Sequence, residues 1–221
     1  MTTLDNFLES ISYIELSDMS GASEGDGVVT SQWRNRIISI LNHGLNVVHS
    51  EFSIKLVEDP VYPGSDRYEY TNEEPDFIRI DKISLNNEAI FLNDSTVNDP
   101  RIFVTGWNSF VAEGFKEDDV LVVVYRAKAE PITKSSPGET VIPVPARFEE
   151  LLRAYVAWQI FLGYKDQAFA AKGMESKARY MELLQQLREL NITNEYNPEL
   201  PARWFDKGWG LAHPAKLTNK E

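Results

Sequence analysis

Cysteine is missing from all 221 residues. That excludes disulfides, thiolate metal sites and cysteine nucleophiles together, and it fits synthesis in a reducing cytoplasm. Histidine is scarce, with only His43, His49 and His213. His43 and His49 are six residues apart, whereas a zinc pair on one helix face needs a spacing of four. No metal ligand set is expected, and both are read as helix-surface or interface residues. No apolar run approaches the roughly 20 residues of a membrane-spanning helix, so no membrane partner is expected. The opening MTTLDNFLES lacks the basic-then-apolar layout of a secretory leader. Basic residues are also absent from positions 1–33, which hold six acidic ones, and Arg34 is the first cation. The net charge of −12 argues against gripping nucleic acid, which takes clustered Lys and Arg against phosphates.

Catalytic signatures are likewise missing. There is no GxSxG, P-loop or GxGxxG, and Gly21, Gly25 and Gly27 are too irregular for a phosphate cradle. The acidic groups Glu73-Glu74-Asp76, Asp94 to Asp99 and Glu117-Asp118-Asp119 read as solvated loops between strands. Hydrolysis by paired carboxylates requires them to meet across a cleft, and adjacency in sequence does not supply that. Asn93 to Asp99 lacks the ligand spacing and closing Glu of a calcium loop. No catalytic residue and no cofactor is expected.

What is present is an order of elements. Leu4, Phe7, Leu8, Ile11 and Ile14 or Tyr13 have helical spacing, and the predicted first helix runs to Leu16. SDMSGASEGDG (Ser17 to Gly27) reads as a loop. Thr30 or Ser31 then caps a second helix to about Ser50, with Trp33, Ile37, Ile40, Leu41, Gly44 and Val48 inward. From Glu51 the period changes to two. A strand is predicted around Phe52 to Leu56, a turn through Pro60, Pro63 and Gly64, and a strand over 77–83. Hairpins are predicted around Asn86-Asn87 and Gly106-Trp107. DVLVVVYRAKA (Asp119 to Ala129), an unbroken β-branched run, suits a sheet interior.

The segment from Pro143 to Asn191 reads as a helical hairpin turning at Gly163. Pro145 suits a first turn. Phe148, Leu151, Leu152, Tyr155, Gln159 and Leu162 make the first helix's face. The second helix, about Lys165 to Leu190, would turn Ala168, Ala171, Ala178, Met181, Leu184 and Leu187 inward, with Gly173 weakening the helix or allowing close approach rather than ending it. The predicted class is α+β. Residues 1–50 and 143–190 would form one helical bundle, with an antiparallel β-domain inserted over 51–142. Residues 191–221 would be an extended arm. That arm carries Tyr196, Trp204, Phe205, Trp209 and Leu211, and aromatics in an extended segment are the usual form of a peptide anchor. Trp107, at a hairpin tip, is a further contact for a neighbouring protein or a ligand.

This combination resembles the head-to-tail adaptor (connector) proteins of tailed bacteriophages, of the tail tubular protein A type found in short-tailed phages. The likeness rests on the two leading helices, the phrase FIRIDKISLNNEAIFL, the strand DVLVVVYRA, and then Pro145, Leu152, Tyr155-Val156-Ala157, Lys165-Asp166 and Ala168 to Ala171. It covers about residues 1–190. The resemblance implies a virion structural protein, made in the host cytoplasm and placed in the neck. There it would form a homo-oligomeric ring, a dodecamer in that family, between the portal protein and the tail nozzle protein. Genomic DNA would pass through the channel without specific binding. Two other readings remain: a carbohydrate-binding or hydrolytic tail component built around Trp107, and a different neck or tail-completion protein.

Overall fold

A computed structural model describes residues 2–17, 19, 29–64, 67–86, 88–90, 101–116, 118–162 and 164–195. The elements are helices α1 (Leu4–Ser10), α2 (Ser31–Glu51), α3 (Glu149–Phe161) and α4 (Gln167–Glu195), and strands β1 (Leu56–Val61), β2 (Arg67–Thr71), β3 (Phe77–Leu85), β4 (Glu88–Ala89), β5 (Arg101–Val104), β6 (Ser109–Glu113) and β7 (Leu121–Ala127). The fold is α+β. Contacts divide the chain into two units. One joins residues 1–56 to 126–193, and the other contains 57–125. The boundaries thus lie at 56/57 and 125/126, so residues 51–56 and 126–142, assigned to the β-domain by sequence, belong with the helices.

The helical unit begins with a solved capping problem. The first N–H groups of a helix have no intrahelical acceptor. Here Leu4 N donates to the Thr140 carbonyl at 2.8 Å and Asp5 N to that of Gly138 at 2.9 Å. Thr3 Oγ1 receives Asn6 N, and Thr3 pairs with Val141 in an antiparallel bridge. The start of α1 is therefore completed by residues far along the chain. A π-helical turn, Ile11–Glu15, continues α1, burying Ile11 and Ser12 and exposing Tyr13 and Ile14.

Helix α2 buries Ile37, Ile38, Leu41, Gly44, Leu45, Val48 and His49, while Trp33 and Ile40 pack at its edge. A methyl on Gly44 would meet the Tyr155 ring at 2.9 Å, so glycine is what lets α2 approach α3 there. Asn42 clamps the returning chain. Its amide donates to the Ile132 carbonyl at 2.8 Å and accepts Ile132 N at 2.9 Å. At the far end of α2, the buried Arg126 guanidinium donates to the carbonyls of Ser50 and Glu51, at 3.3 and 2.8 Å. Those carbonyls are among the last four of the helix and have no intrahelical donor.

Helix α3 is buried nearly all round, through Leu151, Leu152, Ala154, Tyr155, Val156, Ala157, Ile160 and Phe161. The predicted single face was too narrow. Gln159 is half-buried and Leu162 is exposed, because the core reaches the other side of the helix instead. Pro145 stands one step earlier than predicted, at the N-cap of the 3-10 turn Ala146–Phe148. Gly163 lies outside the described residues.

The predicted inner face of α4 is corrected. Tyr180, Leu184 and Leu187 are buried, as is Gly173, whereas Ala168, Ala171, Ala178 and Met181 are exposed. The helix runs unbroken through Gly173. The large rings decide the register: Tyr180 packs on Tyr155 and Trp158, with centroids 5.4 and 5.6 Å apart. Burying an aromatic removes far more area from water than burying an alanine.

The strand unit holds two antiparallel-paired sheets, ordered β1-β7-β3-β4 and β2-β6-β5. The β-branched run of β7 sits between β1 and β3; Leu121, Val123 and Tyr125 are buried on one face, whereas Val122 and Val124 on the other are only half-buried. The predicted strand at Phe52 is corrected to β1, which contains Pro60. β1 is an edge strand, where proline's missing N–H leaves no ladder bond unmade. Strand β2 follows the predicted turn at Pro63-Gly64, where no strand was expected. It pairs with β6 in the register Tyr70↔Phe110, and the two rings stack at 4.8 Å. Asn86 turns the β3–β4 hairpin at φ 48°.

Replacing Arg126 with Met leaves two helix-end carbonyls without their charged donor. The expected loss is about 2–4 kcal/mol of unfolding free energy, measured by urea denaturation. Lys116→Met, at an exposed site, serves as control with an expected change under about 0.5 kcal/mol. Equal effects of the two would refute the capping role.

Candidate functional site

The strand unit presents its chemistry at one end, where two turns meet. In the first, Thr105 N and Gly106 N both donate to the Ser109 carbonyl, at 3.1 and 3.2 Å. Thr105 Oγ1 also donates to Ser109 Oγ at 3.1 Å. A Cβ on Gly106 would lie 2.6 Å from Ser109 Oγ, so a larger residue there would have to turn that hydroxyl away from Thr105. It lifts Trp107 to the apex of the β5–β6 hairpin, where the residue is 66% exposed. The second turn follows β2. Asn72 N donates to the Asn108 carbonyl, and Asn108 Nδ2 donates back to the Asn72 carbonyl, each at 3.0 Å. Glu74 N donates to Asn72 Oδ1 at 2.9 Å. The two turns are thereby fixed to each other.

Beneath Trp107 lies a ladder of rings. Phe77 contacts Trp107 at 5.5 Å between centroids and Tyr125 at 5.2 Å. Beside it runs a polar chain in which Asn72 Nδ2 donates to Tyr70 Oη and Tyr70 Oη donates to Asp59 Oδ2, both at 2.9 Å. Burial pushes the Tyr70 hydroxyl far up, and its bond to Asp59 adds to that. Burial likewise raises Tyr125, with Asp76, Glu74 and Asp59 contributing through their charge. These phenols stay protonated near neutrality, so they serve as hydrogen-bond donors and not as bases.

Of the sequence-derived contact residues, Trp107 is therefore placed on an ordered, exposed tip. Tyr196, Trp204, Phe205, Trp209 and Leu211 lie outside the described residues. So do the acidic group Asp94 to Asp99 and Glu117. Sequence reading missed the Asn72–Asn108 clamp. Its only signal was an asparagine in each of two turns, TNEEPD and GWNS.

The helical unit offers two further features. A shallow depression lined by Thr2, Phe7, Ile142, Pro145, Glu149 and Leu152 is mostly apolar, and its Glu149 carboxylate accepts the Thr2 hydroxyl. The outward side of α4 carries Ala171, Met174, Ala178 and Met181 at alternating spacings of three and four, with Met174 67% and Met181 51% exposed. No group of three or more His, Cys, Asp or Glu suited to a metal ion occurs among the described residues. No helix among them is long and apolar enough to cross a membrane.

His49, expected at a helix surface or an interface, is buried within the helical unit. Its Nε2 lies 3.0 Å from the Pro143 carbonyl. A carbonyl only accepts, so Nε2 carries the proton, and Nδ1 makes no hydrogen bond. Burial lowers its pKa below the ordinary 6.5, opposed by the carbonyls of Pro143 and Ala127 and reinforced by Lys55.

Compared with protein-family models and with curated proteins, the chain matches none.

The depressed folded pKa of His49 fixes a pH dependence. Its contribution to stability is fully present above pH 6.5. It is lost as the pH falls from there through the folded value, because the unfolded chain takes up the proton first, at up to about 1.4 kcal/mol per pH unit. Denaturation midpoints between pH 7 and 5 are expected to fall more steeply for the native protein than for His49→Gln, whose amide still reaches Pro143. Parallel curves would show that His49 does not titrate on unfolding.

Proposed function

We propose that the chain is a virion structural protein of a short-tailed phage, a head-to-tail adaptor that forms a ring between portal and tail nozzle. The observation that carries this reading is the way the helical core is made. Residues Leu4, Phe7 and Leu8 of α1, Ile37 and Leu41 of α2, Leu151 and Ile160 of α3, and Tyr180 and Leu184 of α4 belong to one apolar cluster. The chain between them makes a single antiparallel excursion over 57–125. That is the element order of the adaptor family.

The reading gives the other features a use. A closed heterologous ring needs two different patches on each subunit. The Ala171–Met181 side of α4 supplies one, and its 3-4 spacing is that of a helix seam. The aromatic segment 196–221 supplies an anchor repeated at every subunit, so that modest affinity per arm becomes strong in the assembly. A net charge of −12 lets DNA pass through a channel without being held.

The test is deletion of residues 196–221. The truncated protein is expected to unfold with the native protein's cooperativity and midpoint. It is also expected to lose co-sedimentation with portal-bearing capsids by at least about tenfold, the loss of roughly one anchor contact per subunit. Joining at the full-length level would refute the anchor. Tight, salt-sensitive binding of duplex DNA by the full-length protein would refute the open channel.

A further inference from the structure

The Trp107 tip combines three properties that belong together chemically. The indole is exposed, it rests on Phe77 above a hydrogen-bonded turn, and the turn clamped to its own carries exposed carboxylates. Residues 71–76 and 105–109, the two clamped turns, read TNEEPD and TGWNS. They hold three carboxylates and no lysine or arginine. Glu73 and Glu74 are exposed and Asp76 is half-buried. The turns are locked by the reciprocal Asn72–Asn108 bonds and by Glu74 N on Asn72 Oδ1. Phe77 supports the indole from within. Less backbone ordering is therefore left to be met when a partner arrives.

An indole face attracts a cation through its quadrupole, and carboxylates beside it reinforce that attraction. A guanidinium fits both demands at once. It is flat enough to stack on the ring, and its five donors can meet two carboxylates while stacked. A sugar would use the same ring but, being neutral, would gain nothing from the exposed carboxylates of Glu73 and Glu74.

We propose that this tip docks an arginine side chain of a basic segment on a partner protein, with Trp107 as the stacking platform and Glu73 and Glu74 as the flanking acceptors. The inference rests on the chemistry of the tip alone and stands whether or not the chain is a phage adaptor.

The test uses full-length protein labelled with fluorotryptophan, with the Trp107 fluorine signal assigned by Trp107→Phe. A blocked Gly-Arg-Gly-Arg-Gly peptide is expected to shift that signal saturably, and the shift should weaken as salt is added. The same peptide with citrulline for arginine is expected to bind at least about fivefold more weakly, the loss of one cation–π contact. Glu73→Gln with Glu74→Gln is expected to weaken the arginine peptide by a similar factor while leaving the other tryptophan signals in place. Equal binding of the arginine and citrulline peptides would overturn the proposal. So would a Trp107 signal that no peptide moves, or one that moves with a malto-oligosaccharide and not with arginine.

Discussion

A chain that leaves a helical core at residue 56 and returns at 126 must come back to the place it left, and the buried Arg126 guanidinium is where this is enforced. It donates to Ser50 and Glu51, the last carbonyls of α2. One residue on, Ala127 N donates to the Lys55 carbonyl. A buried charge is tolerated only when its donors are matched, and helix-end carbonyls are tolerated only when something donates to them. Each solves the other's problem, and neither can do so unless exit and return are adjacent. The same logic recurs at the chain start, where the first N–H groups of α1 are satisfied by the Gly138 and Thr140 carbonyls. Asn42 on Ile132 repeats it in the middle of α2. Residues 126–142 have little regular structure, yet they are the strap that finishes three helix positions.

This is why the domain boundary drawn from sequence fell short. Periodicity locates where a strand pattern stops, and it stops near Ala129. It says nothing about which core an irregular segment completes. The α+β class was legible because the period changes from helical to alternating at Glu51 and back after Pro145, and because β7 announces itself as an unbroken β-branched run. The β5–β6 tip was legible from Gly106-Trp107. Strand β1 was not, because Pro60 normally ends a strand and is harmless only at an edge, and edge position is a property of the whole sheet. Strand β2 was hidden because its alternation, Tyr68 and Tyr70 between charged neighbours, was short and followed a proline turn.

The α4 helix shows a deeper limit. Its sequence contains two apolar stripes, one of Tyr180, Leu184 and Leu187 and one of Ala171, Met174, Ala178 and Met181. Periodicity alone gives no ranking between them. Volume does, since Tyr155 and Trp158 on α3 leave a space shaped for the Tyr180 ring. The same blindness concealed His49, which has helical neighbours of ordinary polarity and meets the Pro143 carbonyl just past the strap.

Exposed apolar groups are uninformative when scattered and informative when ordered. Met174 and Met181 stand in register along one rigid helix, and Trp107 stands on a turn whose backbone donors are tied down. The two features also differ in kind. The α4 stripe is apolar and extended, suited to another helix, whereas the Trp107 tip is aromatic among carboxylates, suited to a cation. The two patches lie one in each unit, and their chemistry differs accordingly: Met174 and Met181 offer apolar surface along a helix, Trp107 an indole on a turn beside exposed carboxylates.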